Sequence, residues 1–168
     1  MIGRTSKSMK DDNQVITFAV DPGASGGYAL CFGGLRAITL HNLDTFSDLL
    51  EHVTELEGIH KGFLRAIIED VPPYAGKNIP SYTTFNLGRN CGQLEGLFRA
   101  KSIPVEFVSP KRWQSKFTGL KGLQGAPRKR ALKDHACRLY PTLLPKPTLR
   151  TCDALLMAHY FFTHSNKS

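Results

Sequence analysis

Four carboxylates, at three places in the chain, stand where chemistry could use them. Asp21 ends the apolar run Val15-Ile16-Thr17-Phe18-Ala19-Val20 and opens the glycine-rich stretch Pro22-Gly23-Ala24-Ser25-Gly26-Gly27. A carboxylate at a strand end beside such a turn leaves room for a phosphate and a metal ion to approach the backbone. Glu69 and Asp70 end a second apolar run, Leu64-Arg65-Ala66-Ile67-Ile68, and Asp153 precedes Ala154-Leu155-Leu156-Met157-Ala158. Each acid alone has a plainer role. Asp-Pro-Gly forms turns, an acid pair at a strand end is commonly solvated, and an acid in a first helical turn complements the helix dipole. As an ordered set they suit Mg²⁺, a hard cation that takes oxygen ligands and keeps some waters. Two such ions ~3.5–4 Å apart can activate a water and stabilise the leaving oxygen in phosphodiester hydrolysis.

The elements that must position these acids follow from the hydrophobic pattern. Val15–Val20 reads as a buried strand, and Tyr28–Phe32 and Leu35–Leu40 as two more, with Gly33-Gly34 as the hairpin turn between them. Short turns between three strands imply an antiparallel meander. Asp44 is the expected N-cap of a helix on which Phe46, Leu49, Leu50, Val53 and Leu56 share one face, ended by Gly58. A strand over Leu64–Ile68 that follows this crossover is most simply parallel to an earlier one. A long helix over Ser81–Lys101, a strand over Ile103–Val108, a short helix from Lys111 to Phe117, a helix from Pro127 to Tyr140 and a last helix from Arg150 to Thr163 complete the chain. The order β-β-β-α-β-α-β-α-α-α predicts one mixed sheet with helices packed on it, an α/β domain. If the fourth strand is parallel to the first, Asp21 leaves the same sheet edge as Glu69 and Asp70. Successive strand residues point to opposite faces, so only one of that pair can join Asp21, and the residues leave the choice open.

Four motifs in order carry a resemblance: Val20-Asp21-Pro22-Gly23, Ile68-Glu69-Asp70-Val71, Leu87-Gly88-Arg89-Asn90-Cys91-Gly92 and Asp153-Ala154-Leu155. Together they resemble the RuvC family of Holliday-junction resolvases, within the RNase H-like nuclease superfamily, over about Ile16–Tyr160. The resemblance implies an RNase H-like mixed five-stranded sheet with helices on both faces. It implies Asp21, Glu69 and Asp153 as metal ligands and catalytic residues around two Mg²⁺ or Mn²⁺ ions, with Asp70 as a substitute ligand. It also implies a homodimer that nicks two opposed strands of a four-way junction, leaving 5′-phosphates. The family usually carries a further acid or His three positions before the last Asp. Arg150 stands there instead, as a candidate contact to the scissile phosphate.

Lys and Arg number 22 against 14 Asp and Glu, a net charge of +8, in a chain of 168 residues. That balance predicts an anionic partner, with nucleic acid ahead of a membrane surface. The length allows one well-buried domain, and no stretch approaches the ~20 apolar residues of a membrane span. The positive excess lies mainly between Lys101 and Arg150. Lys111, Arg112 and Lys116 surround Trp113, which reads as a packing anchor. Lys121 sits in a glycine-rich loop, and Arg128, Lys129, Arg130 and Lys133 open the next helix. Helix starts and glycine loops suit phosphate contact, so these residues are the candidate DNA rim. Tyr74 and Lys77, in the proline-rich stretch after Glu69, are expected to reach the junction, Tyr74 as a wedge against bases. Gly88, Gly92 and Gly96 form one helix stripe whose cost predicts close approach by a neighbour, here a second helix or subunit.

Cys31, Cys91, Cys137 and Cys152 have no metal-site spacing and read as reduced thiols of an intracellular, reducing compartment. Residues 1–13 and 165–168 read as disordered tails around a domain at 14–164. An RNA-directed enzyme of the same type and a catalytically silent junction binder are the rival expectations. A two-domain ATP-binding fold with a similar first turn needs a longer chain.

Overall fold

The computed structural model of the chain describes residues 14–60, 62–71 and 80–164. Five strands and five helices follow in the expected order: β1 (Ile16–Val20), β2 (Gly27–Phe32), β3 (Ala37–Asn42), α1 (Phe46–Ile59), β4 (Leu64–Glu69), α2 (Ser81–Ala100), β5 (Val105–Val108), α3 (Pro110–Gln114), α4 (Gly125–Leu139) and α5 (Cys152–His164). The strands lie in the order β3-β2-β1-β4-β5. The meander β1-β2-β3 is antiparallel, while β4 joins β1 and β5 joins β4 in parallel.

The sheet is buried on both faces because its central strands are apolar at most positions, Thr17 and Arg65 being polar exceptions. β1 is buried along its whole length, and alternation divides its side chains between two cores. Ile16, Phe18 and Val20 pack with Leu30, Ala66 and Ile68 under α1 (Leu49, Val53, Leu56) and α2 (Leu94, Leu97, Phe98). Ala19, Ala29 and Ile67 pack on the other face with Trp113 of α3, Leu132 and Ala136 of α4 and the apolar surface of α5. This alternation carries past the strand ends. Asp21 follows the parity of Ala19 and Glu69 that of Ile67, so both turn towards α3–α5. Asp70 follows Ile68 towards α1 and α2.

Local boundaries differ where tertiary contacts outrank simple capping signals. Asp44 does not cap α1. Thr45 does, its Oγ1 accepting from the Asp48 N–H at 3.1 Å, because Asp44 is drawn into an ion pair with Arg150. The helix with the basic start begins at Gly125, two residues before Pro127, which occupies a first-turn position where no N–H is needed. The short helix ends at Gln114, ahead of the expected Phe117. The hairpin glycines Gly33 and Gly34 have φ of 57° and 74°, the left-handed conformation their turn requires. The four cysteines are free thiols. Among the described residues no helix is long and apolar enough to cross a membrane.

Candidate functional site

The site begins at the β1–β4 register. Val20 stands opposite Ile68, so Asp21 and Glu69 leave adjacent parallel strands side by side. Asp21 is 6% exposed. Its Oδ1 accepts the Gly23 N–H at 2.9 Å, its own N–H donates to the Gly27 carbonyl at 3.0 Å, and the Gly26 N–H closes the turn on the Gly23 carbonyl at 2.8 Å. This turn has no room for a side chain at Gly26, where a Cβ would sit 2.1 Å from the Asp21 carbonyl oxygen. Asn90 of α2 donates to the Pro22 carbonyl at 3.2 Å and ties the turn to the opposite layer.

Asp153 arrives from the other direction. The first two turns of α5 are buried from Cys152 through Ala158 because the helix is apolar on nearly every side and lies between the sheet, α3 and α4. Thr151 fixes its start: its Oγ1 accepts the Thr148 N–H at 3.0 Å, and its carbonyl accepts the Leu155 N–H at 3.1 Å. Asp153 is thereby held 8% exposed at the sheet edge. Its Oδ1 is 3.3 Å from the Cys152 thiol, which donates to it.

The oxygens left over face one cation. The Lys129 ammonium donates to Asp153 Oδ2 at 2.5 Å and to Asp21 Oδ2 at 3.4 Å. Burial works against that ammonium, but Asp153 and Asp21 outweigh it and raise its pKa above the usual lysine value. The Asp153 carboxyl is raised as well, because burial exceeds the help it receives from Lys129. Glu69 lies deeper. Burial first, then the charges of Asp21 and Asp153, push its pKa up to about 8, against the pull of a hydrogen bond from Trp113 Nε1 to Glu69 Oε1 at 3.1 Å. The three acids are therefore within electrostatic reach of one another, on the face that strand parity assigns them. Among the described residues no three His, Cys, Asp or Glu side chains approach closely enough to hold a metal together. The donor set nonetheless fits a hard cation: two carboxylate oxygens converge on a point already held by a positive charge.

A cleft of about 340 Å³ opens here, lined among others by Asp21, Gly26, Lys129, Arg150 and Asp153. Glu69 and Asp70 both line a separate cavity with Gly88, Cys91 and Glu95 beside α2, and Glu69 faces the cleft acids through the strand edge rather than from the cleft wall. Arg150 borders the acidic cleft, but its Nη1 donates to Asp44 Oδ1 at 2.7 Å and its Nη2 to the Leu43 carbonyl at 3.3 Å.

The basic residues divide. Lys111, Arg112, Lys116, Lys121 and Arg130 are exposed, and Lys133 is half-buried on α4. Arg128 turns inward, donating to Gln114 Oε1 and to the Leu120 and Leu123 carbonyls, and so clamps the glycine loop between α3 and α4. Lys129 lies in the acidic cleft, away from the rim. Trp113 is fully buried and a packing anchor, with a bond to Glu69 that the sequence did not reveal. Among the described residues, the helix's own backbone aside, no atom lies within 4 Å of a Cβ built at Gly88, Gly92 or Gly96, so none of them packs against that stripe of α2. Tyr74 and Lys77 lie outside the described residues, as do both expected tails.

No family model matches the chain, and no curated protein matches it in sequence. Solved structures do match in fold. One is described as T. thermophilus RuvC in complex with a Holliday junction substrate: TM-score 0.57, 13% identity, covering 90% of this chain and 97% of that one. Another is the Thermus thermophilus RuvC structure, at TM-score 0.51 and 17% identity, covering 88% and 95%. The chain thus has the RuvC-type, RNase H-like α/β fold across nearly its whole length.

Proposed function

We propose that the chain is a divalent-metal-dependent nuclease that resolves four-way DNA junctions as a homodimer, nicking two opposed strands and leaving 5′-phosphates. One observation carries the reading. Asp21, Glu69 and Asp153 come from β1, β4 and α5 to one edge of a fold shared with a RuvC that is bound to a Holliday junction.

Asp21, Glu69 and Asp153 would hold Mg²⁺ or Mn²⁺. When bound, such an ion polarises the phosphate and activates a water, and the resemblance sets the expectation of two ions per site. The chain's own groups do the rest. The Gly23 N–H and the Cys152 thiol fix one oxygen of each aspartate, so the other oxygen points into the cleft. The Trp113 indole holds Glu69 in orientation. The Lys129 ammonium, beside Asp21 and Asp153, would meet a phosphate oxygen that enters the cleft.

Lys111, Arg112, Lys116, Lys121, Arg130 and Lys133 would contact the DNA backbone beside the cleft. Phosphate contacts of this kind set position and affinity without reading sequence. For the second subunit, the exposed face of α2 is the natural seat. It presents Tyr82 at 76% and Phe85 at 68% exposure, beside the open glycine stripe. One chain holds one such cleft, so paired nicks call for two copies. A reducing intracellular compartment accords with the four free thiols.

The test is one gel with a synthetic four-way junction, a linear duplex and an RNA–DNA hybrid, each with and without Mg²⁺. The expected result is paired symmetric nicks in the junction alone, and only with metal. Cutting of the hybrid alone would replace the reading with an RNA-directed one, and junction binding without cutting would replace it with a silent binder.

A further inference from the structure

We infer that the cleft takes one divalent ion per chain rather than two, and that the Lys129 ammonium is the built-in second positive centre. The inference rests on the metal-dependent reading above and narrows it.

The first ground is where the oxygens point. Asp21 and Asp153 each commit one oxygen, to the Gly23 N–H and to the Cys152 thiol. The remaining two, both Oδ2, converge on the Lys129 Nζ. An ion bridging Asp21 and Asp153 would have to occupy the place the ammonium already holds. Glu69 leaves β4 beside the end of β1 and has its Oε1 held by Trp113, so the pair Asp21–Glu69 is the side left for an ion.

The second ground is that Lys129 is anchored. It stands three and seven residues before Leu132 and Ala136, on the face of α4 that packs in the core against α5. Its backbone cannot withdraw without unpacking that face. The side chain can swing, yet its charge stays within the cleft.

The third ground is the shortage of acids. Asp70 follows the parity of Ile68, which packs in the core under α1 and α2. The remaining wall of the cleft carries Arg150, a second cation, held by Asp44 and the Leu43 carbonyl. With Glu69 ionised, as metal binding requires, three carboxylates against one ammonium give −3 + 1 = −2, with Arg150 and Asp44 cancelling each other. One divalent ion neutralises that charge. A second would leave the cleft at +2 among carboxylates whose oxygens are already engaged, and Coulomb repulsion at such separations is strong in a partly buried site.

The test is Mn²⁺ binding to the full chain, read by calorimetry and by electron paramagnetic resonance of free and bound ion. Samples are the protein alone and the protein with a four-way junction, flash-frozen before turnover. The wild type should bind one Mn²⁺ per chain and show no exchange-coupled ion pair with the junction. Coupling needs two ions ~3.5–4 Å apart, so Mn²⁺ scattered along DNA does not mimic it. Lys129→Met should bind two and gain the coupled signal, while Lys129→Arg should keep one. Two ions or a coupled pair in the wild type would overturn the inference and leave the metal-dependent reading intact. No Mn²⁺ at all in the wild type would overturn both. A folded Lys129→Met chain that still binds one ion would remove Lys129 from the role. The wild-type stoichiometry decides the first point even if that variant fails to fold, which thermal melting would reveal.

Discussion

Replacing Trp113 by Phe separates the two jobs this residue does. The indole Nε1–H donates to Glu69 Oε1 at 3.1 Å, while the ring fills the core between sheet and helices. Phenylalanine keeps most of the ring contact and loses the donor. Burial, Asp21 and Asp153 already push Glu69 up to about 8, and the indole bond is what resists them. A hydrogen bond to a charged group contributes roughly 1.5–3 kcal/mol. At 1.36 kcal/mol for each pKa unit, its loss corresponds to about one to two units. The neutral acid can also accept a bond, so the lower end, about one unit, is the expectation. The sign is fixed by the ionised form being the one favoured: without the donor the carboxyl holds its proton to higher pH. In junction cleavage at fixed Mg²⁺, the acid limb of the rate against pH should move up by about one unit, with the plateau at high pH little changed. The smaller ring leaves a void that lowers thermal stability, but a void alone does not move a titration. A folded Trp113→Phe chain with an unmoved acid limb would refute this role for the indole.

Four further outcomes follow from the same geometry. Asp21→Asn, Glu69→Gln and Asp153→Asn should each abolish junction cleavage, by at least about a hundredfold on the scale of lost transition-state electrostatics, and leave junction binding in a gel-shift assay intact; near-wild-type cleavage would remove that residue from the site. Gly26→Ala drives a Cβ to 2.1 Å from the Asp21 carbonyl oxygen, so it should inactivate the chain while circular dichroism still reports the fold. Arg128→Ala frees the Leu120 and Leu123 carbonyls and Gln114, costing about 1–3 kcal/mol in denaturant unfolding and exposing the Thr118–Gln124 loop to protease. The Glu69 carboxyl, raised from its ordinary 4.5 to about 8, binds its proton more tightly folded than unfolded, so its stabilisation is complete below pH 4.5 and lost as pH rises through 8. The melting temperature of the metal-free chain should therefore fall across that window, and Glu69→Gln should flatten the fall.

What the sequence made legible was whatever repeats locally. β1 and β4 announce themselves as β-branched runs, and a helix between them makes them parallel, which places Asp21 and Glu69 at one edge. The choice between Glu69 and Asp70 was open because both neighbours, Ile67 and Ile68, are apolar. Only the division of the sheet into two cores gives the parity a meaning. Lys129 was unreadable for a different reason. In sequence it is one of a basic run, and its partners lie 108 and 24 residues away. Arg128, its neighbour, clamps a loop by turning about 100° round the same helix. Composition could not tell an internal cation from a rim cation. A signal was available for one of them: Lys129, Leu132 and Ala136 share a helix stripe, so Lys129 points where the core points.

The acidic edge is a site whose charges do not balance when the chain is alone. Bringing three carboxylates together under partial burial raises the free energy of the ionised forms. The fold meets this in two ways: a proton retained on Glu69 up to about pH 8, and an ammonium between Asp21 and Asp153. Neither is permanent. A divalent cation needs the ionised Glu69, so its binding releases a proton and tightens as pH rises. The Lys129 side chain can swing from the carboxylates towards whatever anion enters the cleft, its charge staying beside them. On the reading proposed above, that anion would be a phosphodiester. The electrostatic tension of the metal-free chain is thus the arrangement that couples ion binding, proton release and phosphate capture at one point.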